Sequence, residues 1–340
     1  MFKSKKYGKF SVLVIGCGSI GERHIFNLKS LGIENISIYD ENQKRTKILA
    51  EKYHVNQSSD ILSGLSSDPD FSIVSTPPIS HLSIAKQCLK YNSHIFLEKP
   101  LSHELKGIKS FLTKADSQKI KVGVGYNFRF NPGLIFIKNF LKKKKPPILI
   151  SSMVGNHIKN WRPNSNYKHH YVLKKGGGII LDASHEYDFI RWILDDKVTS
   201  VFCQSIKTPK LSKTTESLAC IFLKFQKGTI ANLVLDYVRP SYQRKMQIIN
   251  ENYEINWNFQ PNSSSWKKYD SLAKTQVTYN HQRKDFNQLI NKLYKYEIQS
   301  FLNSIINNQK PIVDGWDAFE TLKIGIAALT SSHSNKIIKL

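Results

Sequence analysis

Apolar positions follow one rhythm up to Tyr126 and another after it. In the first part, short apolar runs alternate with longer amphipathic stretches. "FSVLVIG" (10–16) reads as a buried strand, and "IGERHIFNLKSLG" as a helix ending at Gly32. "NISIYD" and "NQKRTKILAEKYH" repeat the pair, as do "DFSIVSTPP" with "HLSIAKQCLKYN", and "SHIFLEKP" with "HELKGIKSFLTKADS". "KIKVGVGY" adds one more strand. Alternation of this kind predicts a parallel sheet covered by helices.

Beyond Tyr126 the runs lengthen and alternate with period two. "ILISSMVGN", "SLACIFLKF", "TIANLVLDYV" and "RKMQIINEN" read as strands, with hairpin turns at "FQKGTI" and "INENYEI". A mostly antiparallel sheet is expected, with helices at the start of this part and at "YEIQSFLNSIIN". The expected organisation is α/β: a domain with a helix-covered parallel sheet over 1–125, and an α/β domain with an open sheet over 126–340. The last helices are expected to pack back near the first domain.

Composition narrows the function classes. The chain has 340 residues, 40% hydrophobic, and a formal charge of +24. Only eight of its 50 basic residues are arginine. Lysine is scattered through every segment, and the one dense run, "LKKKKPP" (141–147), reads as an exposed turn. Nucleic-acid binders cluster arginine and aromatics on one face, so a lysine-biased surface is expected, with attraction of anionic sugars or nucleotides as the alternative. Cys17, Cys88, Cys203 and Cys220 form no CxxC and stand near no histidine pair at zinc spacing. A reducing compartment and no structural metal follow. The apolar run near the N-terminus, 12–15, is too short for a signal peptide, and no stretch reaches membrane-spanning length. The expectation is a soluble, cytoplasmic protein with no membrane or nucleic-acid partner.

"VLVIGCGSIGERH" holds Gly16, Gly18 and Gly21, a GxGxxG after a strand and at a helix start. Asp40 ends the next strand about 20 residues later. The glycines allow a tight turn and close approach to a pyrophosphate, and the N–H groups around Ser19, Ile20 and Gly21 begin a helix that favours anions. Asp40 can accept from both ribose hydroxyls and would repel a 2′-phosphate, which favours NAD over NADP. Lys44 and Arg45 follow closely and pull the other way.

Ligands of such sheets sit beyond the carboxyl ends of the strands. Two segments end there with unusual chemistry: "STPPISH", with Thr76, Pro77 and His81, and "FLEKP", with Glu98, Lys99 and Pro100. Proline restricts the residue before it. A lysine held still in the expected cleft is a candidate proton donor.

The ordered set "GCGSIGERH", "STPPISH", "EKPL", "GYNFRFNP" and "GGGIILDASHEYDFIRW" resembles the Gfo/Idh/MocA oxidoreductases. The tail "KPIVDGWDAFETLKIGIAAL" is similar to that family's C-terminal segment. The resemblance implies a Rossmann domain followed by an open, largely antiparallel sheet, and NAD(P)-linked oxidation or reduction of a sugar or polyol. It also implies that Lys99, in the EKP motif, contacts the reacting oxygen. Asp182 and His185 match the family's aspartate and histidine, separated here by three residues where four is commoner. "NWRPNSNYKHHYVLKKGGG" resembles a subgroup linked to bacterial surface carbohydrates, which points to amino-sugar or nucleotide-sugar chemistry.

Read as one helix over 179–194, the last motif puts Ala183, Tyr187, Ile190 and Leu194 on one stripe. Asp182, His185 and Glu186 share another, with glycines that let this end approach a ligand closely. His185 then acts as a general base oriented by Asp182. The plainer alternative is a capping aspartate and a core histidine. Softer candidates for substrate or nicotinamide contact are Asn127, Arg129, Trp161, Arg162, Tyr167 and His170; Arg191 reads as a solvated or salt-bridged helix residue. The leading expectation is hydride transfer between nicotinamide and a hydroxyl or carbonyl carbon of a sugar, nucleotide sugar or cyclitol. Two rivals stand beside it: retained NAD serving elimination, epimerisation or glycoside cleavage, and a non-catalytic NAD-binding sensor or scaffold. Apolar side chains on both faces of "ACIFLKF" and "ANLVLDYV" predict burial of the open sheet face in a homodimer or homotetramer.

Overall fold

The computed structural model describes the chain except residues 1–5, 162–176, 209–213, 260–262 and 271–274; for Trp161 and residues 263–287 only the backbone course is described. It divides into two compact units. One holds residues 1–127 and 291–319, and the other holds 128–290 and 320–340.

The first unit alternates strand and helix as the apolar rhythm requires: β1 (Ser11–Ile15), α1 (Ser19–Ser30), β2 (Asn35–Tyr39), α2 (Gln43–Tyr53), β3 (Asn56–Gln57), α3 (Ile61–Ser66), β4 (Phe71–Val74), α4 (Pro78–Lys90), β5 (His94–Leu97), α5 (Ile108–Ser117) and β6 (Val122–Val124). The six strands are parallel in the order β3-β2-β1-β4-β5-β6. The order reverses between β1 and β4, so the carboxyl ends of these strands mark the ligand crevice of a doubly wound sheet. Val12, Val14, Ile36, Ile38, Phe71 and Ile73 pack with Ile25 and Leu28 of α1 and with Ile298, Phe301 and Leu302. Side chains stop several helix starts: Asn42 accepts from Arg45 N at 3.2 Å and Asp60 from Ser63 N at 2.7 Å. The two-residue β3 and the six-residue α3 are too short to show a period.

The second unit opens with a 3₁₀ turn over Asn127–Phe130 that runs into it, then α6 (Pro132–Leu141), β7 (Leu149–Gly155), α7 (Ile158–Trp161), α8 (Ile179–Asp182) and α9 (His185–Leu194). The strands β8 (Val198–Ile206), β9 (Leu218–Phe225), β10 (Ile230–Asp236), β11 (Gln243–Asn250), β12 (Tyr253–Phe259), β13 (Ser263–Asp270), β14 (Thr275–Gln282) and β15 (Ile338–Lys339) complete the sheet. Its order is β14-β13-β12-β11-β7-β10-β9-β8-β15. Every neighbouring pair is antiparallel except β7 with β10. Two long helices, α10 (Arg283–Ile306) and α11 (Gly315–Ser334), each cross the division between the units.

One expectation needs correction. The stretch 179–194 is not a single helix: Ala183 ends α8 and Ser184 precedes α9. The expected stripe survives in part, since Ala183, Tyr187 and Ile190 are buried, but so are His185, Glu186, Asp188 and Phe189. Among the described residues no helix is long and apolar enough to cross a membrane, no three His, Cys, Asp or Glu converge as a metal site, and all four cysteines are free.

Candidate active site

The glycine loop joins β1 to α1. Gly16 has φ +94°, and a Cβ there would lie 2.8 Å from the backbone of Ser75. A Cβ on Gly21 would run into the carbonyl of Gly16. These two glycines therefore close the loop on itself. Gly18 differs: nothing lies within 4 Å of its missing side chain. It occupies the N-cap of α1 in extended conformation, and no side chain caps that end. The N–H groups of the first turn, at Ser19, Ile20 and Gly21, are left for an anion. Asp40 stands at the end of β2. Its carboxylate accepts from Cys17 N at 2.7 Å and Asn42 N at 2.8 Å, with Arg45 Nη1 3.9 Å away. The loop's backbone and the Asp40 carboxylate are thus tied together, and the donor set fits a dinucleotide with its pyrophosphate at α1.

The next strand ends carry the other candidates of this unit. Thr76 and Pro77 lead into α4, with Pro77 as its N-cap. Lys99 is half-buried after β5. Two expected cofactor contacts turn out to be internal. His81 has no exposed surface, and its ring nitrogens lie 2.9 Å from Pro100 O and 2.7 Å from Thr76 O. Glu98 is buried against His24, Oε1 to Nε2 at 2.7 Å. Both are occupied by protein groups because a buried polar atom must find a partner. Asn127, at the end of this unit, is buried, and its Oδ1 has no hydrogen-bond partner.

In the second unit Arg129 is not available to a ligand as expected. It is buried and bidentate to Asp188, Nε to Oδ2 at 2.9 Å and Nη2 to Oδ1 at 2.6 Å, and Thr321 Oγ1 donates to the same carboxylate at 2.9 Å. A guanidinium held this way is a structural cross-link. Arg191 reaches Thr321 Oγ1 at 3.4 Å.

The glycine run before α8 also has an internal reason. Gly178 has φ +120°, and a Cβ there would collide with the carboxylate of Glu216. Glu216 accepts from Ile180 N at 3.1 Å and so caps α8; burial pushes its pKa up. The small residue makes room for this carboxylate, a nearer cause than the ligand approach expected of it. Asp182, the last residue of α8, is half-buried and accepts from Tyr237 OH at 2.7 Å. His185 opens α9 with 9% exposure, its ring 5.1 Å from that of Phe128. Phe128 carries the Arg244 guanidinium 4.2 Å from its centroid. Arg244 is in turn 2.9 Å from the carboxylate of fully buried Glu186, to which Ser152 Oγ donates at 3.2 Å. Burial raises Glu186 to about 7, with Arg244 and Ser152 pulling it down. Tyr237, Arg244 and His24 were not expected. Tyr237, just after β10, and Arg244, on β11, stand far along the chain from the residues they serve, where no local motif marks them; His24 stands inside "GERH" with nothing to show its partner. Trp161 ends α7, with only its backbone described, and Arg162, Tyr167 and His170 lie outside the described residues.

Residues 10–126 match a family model described as an oxidoreductase family with NAD-binding Rossmann fold, and residues 150–340 match the C-terminal alpha/beta domain of the same family. Among curated proteins, the myo-inositol 2-dehydrogenase of Thermotoga maritima is 24% identical over 96% of this chain and 97% of its own length. An inositol 2-dehydrogenase/D-chiro-inositol 3-dehydrogenase of Lacticaseibacillus casei is 26% identical over 95% and 90%. Among solved structures, GenD2 from gentamicin A biosynthesis in complex with NAD superposes with a TM-score of 0.85 at 16% identity, covering 100% of this chain and 99% of that one. A scyllo-inositol dehydrogenase from Lactobacillus casei with NAD(H) and scyllo-inositol gives 0.81 at 19%, covering 97% and 98%. The structural likenesses speak for the fold.

Proposed function

Since this chain belongs to the Gfo/Idh/MocA oxidoreductase family and carries its NAD-binding Rossmann domain, we propose that it is a dehydrogenase acting on a ring hydroxyl of a cyclitol, sugar or nucleotide sugar. The observation that carries this reading is the presence of both halves of the required chemistry. The first unit has an uncapped anion-binding helix start and a lysine fixed at a strand end. The second has an aspartate and a histidine three residues apart. Curated relatives aligned over nearly the whole chain are named as inositol dehydrogenases, which favours a polyhydroxylated ring.

Bound NAD supplies the hydride acceptor for oxidation, and NADH the donor for the reverse. Gly16, Gly18 and the first turn of α1 hold the phosphates, and Asp40 the adenosine ribose. Lys99 offers an ammonium to the oxygen that gains negative charge as the proton leaves. His185 takes that proton in oxidation and returns it in reduction. Asp182, itself held by Tyr237, orients the histidine.

The test is a screen of inositols, sugars and nucleotide sugars with NAD and NADH, following absorbance of the reduced cofactor. A substrate should emerge whose turnover falls ~10²–10⁴-fold in Lys99→Ala and in His185→Ala, with NAD affinity kept because the glycine loop is untouched. Asp182→Asn should cost less than either. If His185→Ala folds normally and keeps full turnover, His185 is a core residue and this reading fails.

We also propose that the open face of the nine-stranded sheet pairs two copies of the chain. Phe222 of β9 lies opposite Phe202 of β8 and Asn232 of β10. Ile206, Phe222 and Ile230 are 60%, 47% and 49% exposed. Apolar area of this kind is normally covered in a partner.

A further inference from the structure

Two buried histidines contact the residues on either side of Lys99 in the chain. His24 comes from α1 and grips Glu98, the residue before it; His81 comes from α4 and touches the carbonyl of Pro100, the residue after it. Both rings are 0% exposed. Burying an imidazole costs free energy unless its nitrogens are satisfied, and an apolar side chain would fill either place more cheaply. Their placement therefore calls for a reason other than packing.

We propose that His24 and His81 form a two-sided clamp whose work is to position Lys99. The first arm runs from α1. His24 Nε2 lies 2.7 Å from Glu98 Oε1, and Glu98 Oε2 is 3.3 Å from the backbone N–H of Lys99. The ring is fixed edge-on by Phe96 and Tyr294, at 5.7 and 5.9 Å between centroids. Its Nδ1 meets no hydrogen-bond partner, so the ring's polar anchor is the contact of Nε2 with Glu98. Gly125 leaves room for the acid, since a Cβ there would stand 3.2 Å from the carboxylate. The second arm runs from the first turn of α4, where His81 spans Thr76 O and Pro100 O and so joins the loop after β4 to the loop after β5. Burial holds this imidazole below the usual histidine range, while the two carbonyls and Glu98 pull it upward.

The consequence is mechanical. The segment 98–100 is held by groups from two helices that flank the sheet, so the Lys99 backbone has little freedom. The first arm belongs to the same helix whose N-terminus meets the cofactor phosphates, which ties the lysine and the cofactor site to one rigid element. Displacement of about 1 Å at a reacting group can cost 10²-fold in rate, and a reacting group is held by the partners of its neighbours. His24 and His81 are positioning residues here; neither touches a reacting atom. The inference rests on the preceding reading only in giving Lys99 a chemical task.

Four variants test it: His24→Ala, His81→Ala, the double variant, and His81→Gln, which keeps one polar contact. Each alanine variant should lower kcat about tenfold or more while NAD affinity, measured by calorimetry, stays within about threefold. The losses should be less than multiplicative in the double variant, because both arms hold one segment. His81→Gln should recover part of the loss. Independently of any substrate, hydrogen exchange in the NAD-bound protein should quicken in the peptide spanning residues 97–103 and stay unchanged in the glycine loop. Unaltered exchange in that peptide, or full kcat in a folded alanine variant, overturns the clamp. If the unmodified protein turns over none of the screened substrates, the dehydrogenase reading fails while the exchange arm still decides the clamp. Should an alanine variant not fold, Glu98→Gln and His81→Gln carry the same two measurements.

Discussion

A carboxylate held by two backbone amides is a poor neighbour for a phosphate. Asp40 is in that position, with Cys17 N and Asn42 N at 2.7 and 2.8 Å, and like charges brought together cost several kcal/mol. NAD should bind more tightly than NADP, and Asp40→Ser should narrow the gap by about tenfold or more; calorimetric titration with both cofactors checks this. Arg45, 3.9 Å from Asp40, is then free to meet a 2′-phosphate. Glu186 gives the second residue-scale expectation. Its pKa rises from 4.5 to about 7 in the folded protein, chiefly by burial. Between those values the folded state keeps a proton that the unfolded chain has released. Stability therefore falls as pH rises from about 4.5 through 7, by on the order of 3 kcal/mol for this group. Urea unfolding at a series of pH values should show that slope in the wild type and a flatter one in Glu186→Gln. Equal slopes would mean that Glu186 is not raised. The Gln variant also leaves Arg244 without its counter-charge, so the slope, and not the absolute stability, is the quantity to compare.

The break between α8 and α9 is the lesson at the scale of the element. The apolar spacing over 179–194 suits one helix, and Ala183, Tyr187 and Ile190 are buried as that spacing requires. What ends α8 is long-range: its start is tied to Glu216 and its last residue, Asp182, to Tyr237. Neither partner lies within the pattern, so no local reading could have found the break. Gly178 is the point where this can be tested. A Cβ would strain a backbone at φ +120° and strike the Glu216 carboxylate. Gly178→Ala should cost about 1–3 kcal/mol, seen as a lower midpoint in urea, and should impair turnover because α8 carries Asp182. The glycine loop behaves in the opposite way. Strand, glycines and helix start are contiguous in sequence, so the loop, Asp40 and the strand ends at Thr76 and Lys99 are legible in the sequence.

At the scale of the whole molecule, the uncovered face of the large sheet sets the expectation. Its inner residues, such as Ala219, Ile221, Leu223 and Leu233, are buried, while Phe222, Ile206 and Ile230 on the other face are not. Light scattering at micromolar concentration should give a dimer or larger mass. Phe222→Lys should lower that mass toward one chain by placing a charge where an apolar contact is needed. A monomer in the unmodified protein would reject the proposed pairing. The net charge of +24 makes the association sensitive to salt, since repulsion between like-charged copies is screened within about 10 Å at 0.1 M.

The order of apolar and polar residues determined the two regimes of fold, the glycine loop with Asp40 at the next strand end, and the candidacy of Lys99, Asp182 and His185. Each of these is written in a contiguous stretch, where periodicity and turn chemistry act locally. Tertiary structure decided which polar residues are internal. Arg129 went to Asp188, His81 to two carbonyls, Glu98 to His24, and Arg244 to Glu186. The physical reason is the same in each case. A buried charge or ring nitrogen must be met by a partner, and that partner is chosen by three-dimensional proximity across separations of 5 to 74 residues in the chain, which no spacing rule in the sequence encodes.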